Sequence, residues 1–176
     1  ARHILHSMKS QMPIDDEIRA RHVDFGLVRC AVELDDNDAE KIMLAFLRRY
    51  PESVHTNDVH FMLALHYCER EEYSSARKEN DRVAYNALTP EDKGRYNVRM
   101  GYVEFVSGNY NKAYELFSKL SPTGIYHDHG VYYKAYIHYS RNEYEEAYRG
   151  FSSLSKSENY KKVIPYYLFQ LEFARG

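Results

Sequence analysis

The 176 residues suffice for one ordinary domain or a short array of repeats, and a hydrophobic fraction of 44% supplies a core. A net charge of -2 with no block of like charge leaves no electrostatic footprint for nucleic acid. The 18 Tyr without a single Trp suit half-buried helix surfaces and binding grooves, where a large ring carrying a hydroxyl fits.

No apolar run approaches the roughly 20 residues that span a bilayer, so no membrane insertion is expected. No signal peptide is visible. The chain starts at Ala1 and stops at Gly176, directly after an apolar helical pattern, and so reads as a piece of a longer protein. Cys30 and Cys68 are too few for a disulfide framework and fall within apolar helical patterns, where a buried free thiol is expected.

Residues 1–12 are weakly periodic and read as the second helix of a preceding, cut repeat. Pro13 breaks the pattern. A helix is expected from about Asp15 to Glu33, with Val23, Leu27, Cys30, Ala31 and Leu34 on one side. After Asp35-Asp36-Asn37, its partner runs from about Asp38 to Arg49. Pro51 ends it, because a residue before proline avoids the helical region. The next pair places Val59, Phe61, Met62, Ala64, Leu65 and Cys68 on one helix and Tyr73, Ala76, Val83 and Ala87 on the other. Thr89-Pro90-Glu91-Asp92 marks a new start, with Thr89 as cap, Pro90 in the first helical position and acids at the positive helix end. That third pair holds Met100, Gly101, Val103 and Phe105, then Asn109–Leu120. A fourth pair is read as Tyr126–Ser140 and Glu143–Leu154. A last helix, about Tyr160–Arg175, opens a fifth unit. No segment alternates with period two, so no strands are expected.

The organising pattern is a repeat. Asn109–Leu120 and Glu143–Leu154 each carry Tyr, then Ala three residues on, Phe four further and Leu three further, and the copies lie 34 residues apart. A period in this range marks a helical array. The second-helix alanines Ala39, Ala76, Ala113 and Ala147 are spaced by 37, 37 and 34 residues. Small residues, Ala64, Gly101 and Ala135, stand twelve positions before the last three. They let paired helices approach closely, while Phe117, Phe151, Leu120 and Leu154 fill the gap to the next pair. No pair is large enough to bury its own face, so stacking makes the core.

These residues resemble the tetratricopeptide repeat family. The matches are Leu63-Ala64 with Tyr73 and Ala76; Gly101 with Gly108, Tyr110, Ala113 and Phe117; Ala135 with Tyr144, Ala147 and Phe151; and Ala39 with Pro51. The resemblance covers about residues 20–176. Departures are the absence of Trp, Leu27 where a small residue is the rule, and the two 37-residue spacings. It implies an all-α fold, a right-handed superhelix of antiparallel helix pairs, in one array with units of about 15–53, 54–88, 89–122, 123–157 and a first helix at 158–176. A narrower likeness, carried by Phe46–Ser53 with Glu72–Ala76, is to repeat proteins of the Gram-negative envelope. Tyr132–Ile137 and Pro165–Leu168 look like repeat proteins of Bacteroidetes. This implies a periplasmic or envelope setting, with the cytoplasm as the alternative.

Residues of catalytic or metal-binding type fall into no working pattern. His127-Asp128-His129 is the most tempting metal site, but residues two apart point to different sides of a helix, so it reads as a polar helix start. Glu71-Glu72 and Glu145-Glu146 favour helix starts. No phosphate loop, nucleophile elbow or Cys/His constellation is present. The chain therefore reads as non-catalytic, with no cofactor and no metal. In the tetratricopeptide family the first helix of each pair lines the concave side. By register, that selects Phe61, Leu65 and Cys68; Val98, Tyr102 and Phe105; Tyr132, Tyr136 and Tyr139; and Tyr166, Gln170 and Phe173. Phe61, Leu65, Arg95, Tyr102, Tyr132, Tyr136, Tyr166 and Gln170 are the expected contacts for a protein or peptide partner. The alternative is a glycan or small molecule stacked on an aromatic trough. Arg95 and Gln170, able to pair with a peptide backbone, tilt the reading toward protein. Tyr166, Tyr167, Leu171 and Phe173 are expected to leave an apolar face through which copies self-associate.

Overall fold

A computed structural model describes residues 4, 7 and 17–175 of the chain. Among these residues there are nine α-helices and no strand. The fold is all-α. Residues 1–12, read above as a helix of a preceding repeat, lie outside the described residues except Ile4 and Ser7.

The chain divides into two compact units, one ending at Ala87 and the other beginning at Leu88. The first holds α1 (Glu17–Glu33), α2 (Ala39–Arg49), α3 (Thr56–Glu69) and α4 (Tyr73–Asn80), then a single 3-10 turn at Tyr85–Ala87. The second holds α5 (Pro90–Val106), α6 (Tyr110–Ser118), α7 (His127–Ser140), α8 (Tyr144–Ser153) and α9 (Ile164–Arg175). Within each unit, consecutive helices lie side by side: α1 with α2, α3 with α4, α5 with α6 and α7 with α8, while α9 packs on α8. Connections of a few residues leave such neighbours no choice but to run antiparallel.

One turn is used four times. Asp35, Glu71, Gly108 and Asn142 all have positive φ, at 47°, 60°, 79° and 61°. Each closes the first helix of a pair with the same two bonds. The N–H of Gly108 donates to the Phe105 carbonyl at 3.0 Å, and that of Asn109 to the Glu104 carbonyl at 2.8 Å. The N–H groups of Glu71 and Glu72 meet Cys68 and Tyr67 at 3.1 and 2.9 Å, and those of Asn142 and Glu143 meet Tyr139 and His138 at 3.1 and 3.0 Å. Asp35 and Asp36 do the same with Val32 and Ala31, at 3.1 and 2.9 Å. This double bond to the last turn is the Schellman arrangement, which needs a left-handed residue. The four anchor alanines then enter the second helices, and all are buried, with Ala76, Ala113 and Ala147 at 0% exposure.

Small residues sit where the second unit's helices come closest. A Cβ added at Gly101 would lie 2.6 Å from Phe117 Cε1, so the α6 ring rests directly on the α5 backbone. A Cβ at Gly150 would lie 2.7 Å from the Ala135 Cβ, which makes α7 and α8 meet at two small residues. Gly130 takes the Leu120 side chain and the Phe117 carbonyl in the same way, at 2.8 and 3.2 Å. Around these contacts Ala135, Ala147, Phe151, Leu154, Ile164 and Leu171 form one buried cluster, and Ala113, Phe117 and Ile137 another.

Thr89 caps α5 as expected, accepting from the Asp92 N–H at 3.1 Å, with Pro90 first in the helix. Two boundaries differ from expectation. The fourth helix ends at Asn80, leaving Val83 and Ala87 outside it: the Arg82 and Val83 N–H groups turn to the carbonyls three residues back, both at 3.0 Å, and the Ala84 N–H goes to the Asn57 side chain at 2.6 Å. The ninth starts at Ile164 rather than Tyr160. Pro165 has no N–H to give to a preceding turn, so the helix can begin there but cannot run through it.

At Gly108 nothing lies within 4 Å of an added Cβ, so a side chain there is opposed only by the backbone conformation. Gly108→Ala is expected to lower unfolding free energy by about 1 kcal/mol, read from the urea midpoint at constant slope. An unchanged midpoint would show that the turn tolerates any residue.

Candidate functional site

The second unit gathers an aromatic layer from the first helices of its pairs, α5, α7 and α9. Phe105 on α5 lies 5.0 Å from Tyr133 and 5.3 Å from Tyr136, both on α7, and Tyr102 lies 5.6 Å from Tyr133, centroid to centroid. Tyr167 on α9 lies 6.1, 5.9 and 5.9 Å from Tyr132, Tyr136 and Tyr139. Several rings are stacked. Tyr132 stacks on Tyr160 at 4.4 Å, Tyr167 on Phe151 at 4.6 Å and Tyr133 on Phe117 at 5.0 Å. Such pairs add roughly 0.5–1.5 kcal/mol each beyond the area they bury.

Hydroxyl groups knit the layer together. Tyr139 Oη donates to Gln170 Oε1 at 2.9 Å, and Gln170 Nε2 donates to Tyr166 Oη at 2.8 Å. Tyr160 Oη and His129 Nδ1 share a hydrogen bond of 2.6 Å. Burial raises the phenol pKa of Tyr132, Tyr136, Tyr160 and Tyr167, so these hydroxyls stay protonated and uncharged. His129 moves the other way. Burial holds its imidazole below the ordinary 6.5, opposed by the Asp128 carboxylate and assisted by Arg99. The layer is thus neutral, apolar in bulk and lined with hydroxyl and amide groups.

Residues expected to form the contact surface separate into three groups. Tyr102 and Tyr166 are open, at 36% and 60% exposure. Tyr132, Tyr136 and Gln170 are half-buried within the layer. Phe61 and Leu65, in the first unit, are buried at 5% and 7% and present little surface to a partner. Arg95 is half-exposed and pairs with Asp92, whose carboxylate lies 3.6 Å away. The two groups that tilted the sequence reading toward a peptide backbone, Arg95 and Gln170, thus already have internal partners. On α9, Leu171 is fully buried and Tyr167 half-buried, whereas Phe169 and Phe173 are 61% and 74% exposed. The exposed apolar face of this helix is therefore Tyr166, Phe169 and Phe173, a spacing of three and four that the sequence reading covered only in part.

Tyr133, Tyr160 and Tyr167 belong to the layer without having been singled out for it. Tyr133 and Tyr167 each follow directly on a chosen residue, and the close Tyr-Tyr repeats were the signal. Tyr160 lies in the turn before α9, where helical register gives no guide. His127-Asp128-His129 is the start of α7: Asp128 accepts from Ser157 Oγ at 2.5 Å, and His129 meets Tyr160. Among the described residues no group of three His, Cys, Asp or Glu is arranged to hold a metal ion. Among the same described residues no helix is long and apolar enough to cross a membrane. Neither protein-family models, curated proteins nor solved structures gave a match to this chain.

The His129 shift has a consequence for stability. The folded state resists protonation below the ordinary 6.5, so its contribution is fully present above that pH and is lost as pH falls through it. His55 in the first unit, also held low by burial, acts in the same direction. The melting temperature is expected to fall between about pH 7.5 and about pH 5.5, and His129→Gln should flatten that fall without abolishing it. Equal slopes in the two proteins would remove His129 from the account.

Proposed function

We propose that this chain is a tetratricopeptide-like helical scaffold, a non-catalytic module that docks a peptide segment of a partner protein on the aromatic layer of α5, α7 and α9. The observation that carries this reading is the layer itself: three first helices, one after another, present Tyr to the same neighbourhood. The repeated turns and the recurring buried alanines support the family likeness. Because the layer is uncharged, the matching segment is apolar with uncharged polar groups, and long-range charge contributes little to its capture. The proposed envelope setting rests on the likeness of Phe46–Ser53 with Glu72–Ala76 to repeat proteins of the Gram-negative envelope, and on that of Tyr132–Ile137 and Pro165–Leu168 to repeat proteins of Bacteroidetes.

A sugar ligand is the second reading, and ring geometry weighs against it. Carbohydrate stacking needs a free aromatic face. Tyr132, Tyr133 and Tyr167 each have a face covered by a stacked neighbour within the protein. These three half-buried rings thus offer at most one face each, and the hydroxyl groups among them suit a peptide's backbone better.

The test is selection from a displayed random-peptide library, with wild type compared against Tyr102→Ala/Tyr166→Ala. Both side chains are exposed, but each gives up a ring contact, with Tyr133 and Tyr167, and Tyr166 its hydrogen bond from Gln170, so melting should fall slightly while the fold is kept. Hot-spot tyrosines are worth roughly 2 kcal/mol or more each, so selected apolar peptides should bind the double variant at least about 30-fold more weakly. Sedimentation at the assay concentration controls for association between copies through Phe169 and Phe173. Equal binding to both proteins would contradict the proposal, and a glycan whose binding is lost in the variant would favour the second reading.

A further inference from the structure

The first unit contains a cleft of about 360 Å³ that plays no part in the aromatic layer. Its walls come from three segments of the chain: Leu44, Leu47 and Arg48 on α2 continuing into Pro51 of the following turn; His60 on α3; and Arg82, beyond α4. We propose that this cleft binds a small organic carboxylate with an apolar tail.

Two of the lining residues are arginines and none is acidic. Beneath them lies Glu79, only 5% exposed, accepting from His60 Nδ1 at 2.8 Å and Arg82 Nη1 at 2.9 Å. This carboxylate fixes Arg82 and His60 at the cleft and offsets one positive charge. Arg82 spends one of its five N–H donors there and keeps others for a ligand. Arg48 also lines the cleft and forms no ion pair among the described residues. The cleft thus holds one positive charge in excess, on a group whose planar fork matches a carboxylate.

The walls decide between anions. Leu44, Leu47 and Pro51 are apolar, so a hydrocarbon tail gains by leaving water there. A doubly charged phosphate gains nothing from those walls and must shed a tightly held hydration shell to reach them. At about 360 Å³ the cleft is near the lower end of ligand sites. That suits a short-chain carboxylate rather than a polymer.

Calorimetric titration of the full chain with hexanoate, acetate and inorganic phosphate tests this. Hexanoate is expected to bind saturably at one site, at least about tenfold more tightly than acetate, because of its extra methylenes. Phosphate should bind more weakly than hexanoate. Arg48 is exposed, so Arg48→Gln should leave melting unchanged and weaken hexanoate by about tenfold, as expected for a charge-assisted hydrogen bond. Should Arg48→Gln shift the melting temperature, Arg48→Lys, which keeps the charge but not the fork, is read instead and should weaken hexanoate several-fold. Non-saturating hexanoate binding, equal affinity for acetate, tighter phosphate binding, or full affinity in the variant read would each overturn the proposal.

Discussion

The second unit depends on a ring lying flat against a backbone. Phe117 on α6 occupies the space where any residue but glycine at 101 would carry its Cβ. Protein interiors are packed too densely to yield to an extra methyl group without cost. Helix α6 is only nine residues long, and helices of that length are marginal alone. Its stability is borrowed from this contact and from the burial of Ala113 and Leu116 alongside. The same logic recurs one pair later, where Gly150 meets Ala135 and Phe151 is wholly buried.

Close approach requires register, and the turns supply it. Asp35, Glu71, Gly108 and Asn142 reverse the chain through the same two backbone bonds. Each turn therefore hands the second helix to the first at nearly the same offset. Three of the four positions are not glycine, and a left-handed residue with a side chain costs about 1 kcal/mol or more. That cost is tolerated because the turn fixes which face of each helix meets its neighbour. With the inner faces fixed, the tyrosines of α5, α7 and α9 are brought together, and the aromatic layer follows from the packing.

Much of this was legible in the sequence. The spacing of Ala39, Ala76, Ala113 and Ala147 reports a local rule, small residues at helix contacts, and local rules repeat visibly. Thr89-Pro90-Glu91-Asp92 is likewise a complete signal within four residues. What could not be read depends on contacts distant in the chain. The segment after α4 is held by Asn57, twenty-seven residues before Ala84. The burial of Phe61 and Leu65 is not encoded in their own helix, since apolar residues at helical spacing serve equally as a core or as an open stripe. Tyr160 joins the layer through Tyr132 and His129 from a turn without periodicity, and the Arg48–Arg82 cleft needs three separated segments.

The central claim is that paired helices are locked by a small residue against a large one. A double-mutant cycle on Gly101 and Phe117 tests it most directly. Gly101→Ala alone should cost about 1–3 kcal/mol by overpacking, and Phe117→Leu alone should cost a similar amount by leaving a void. Combined, the shorter side chain makes room for the new methyl group. The account predicts that the double variant is more stable than the sum of the two losses implies, by about 1 kcal/mol or more. Losses that simply add, within about 0.5 kcal/mol, would contradict it.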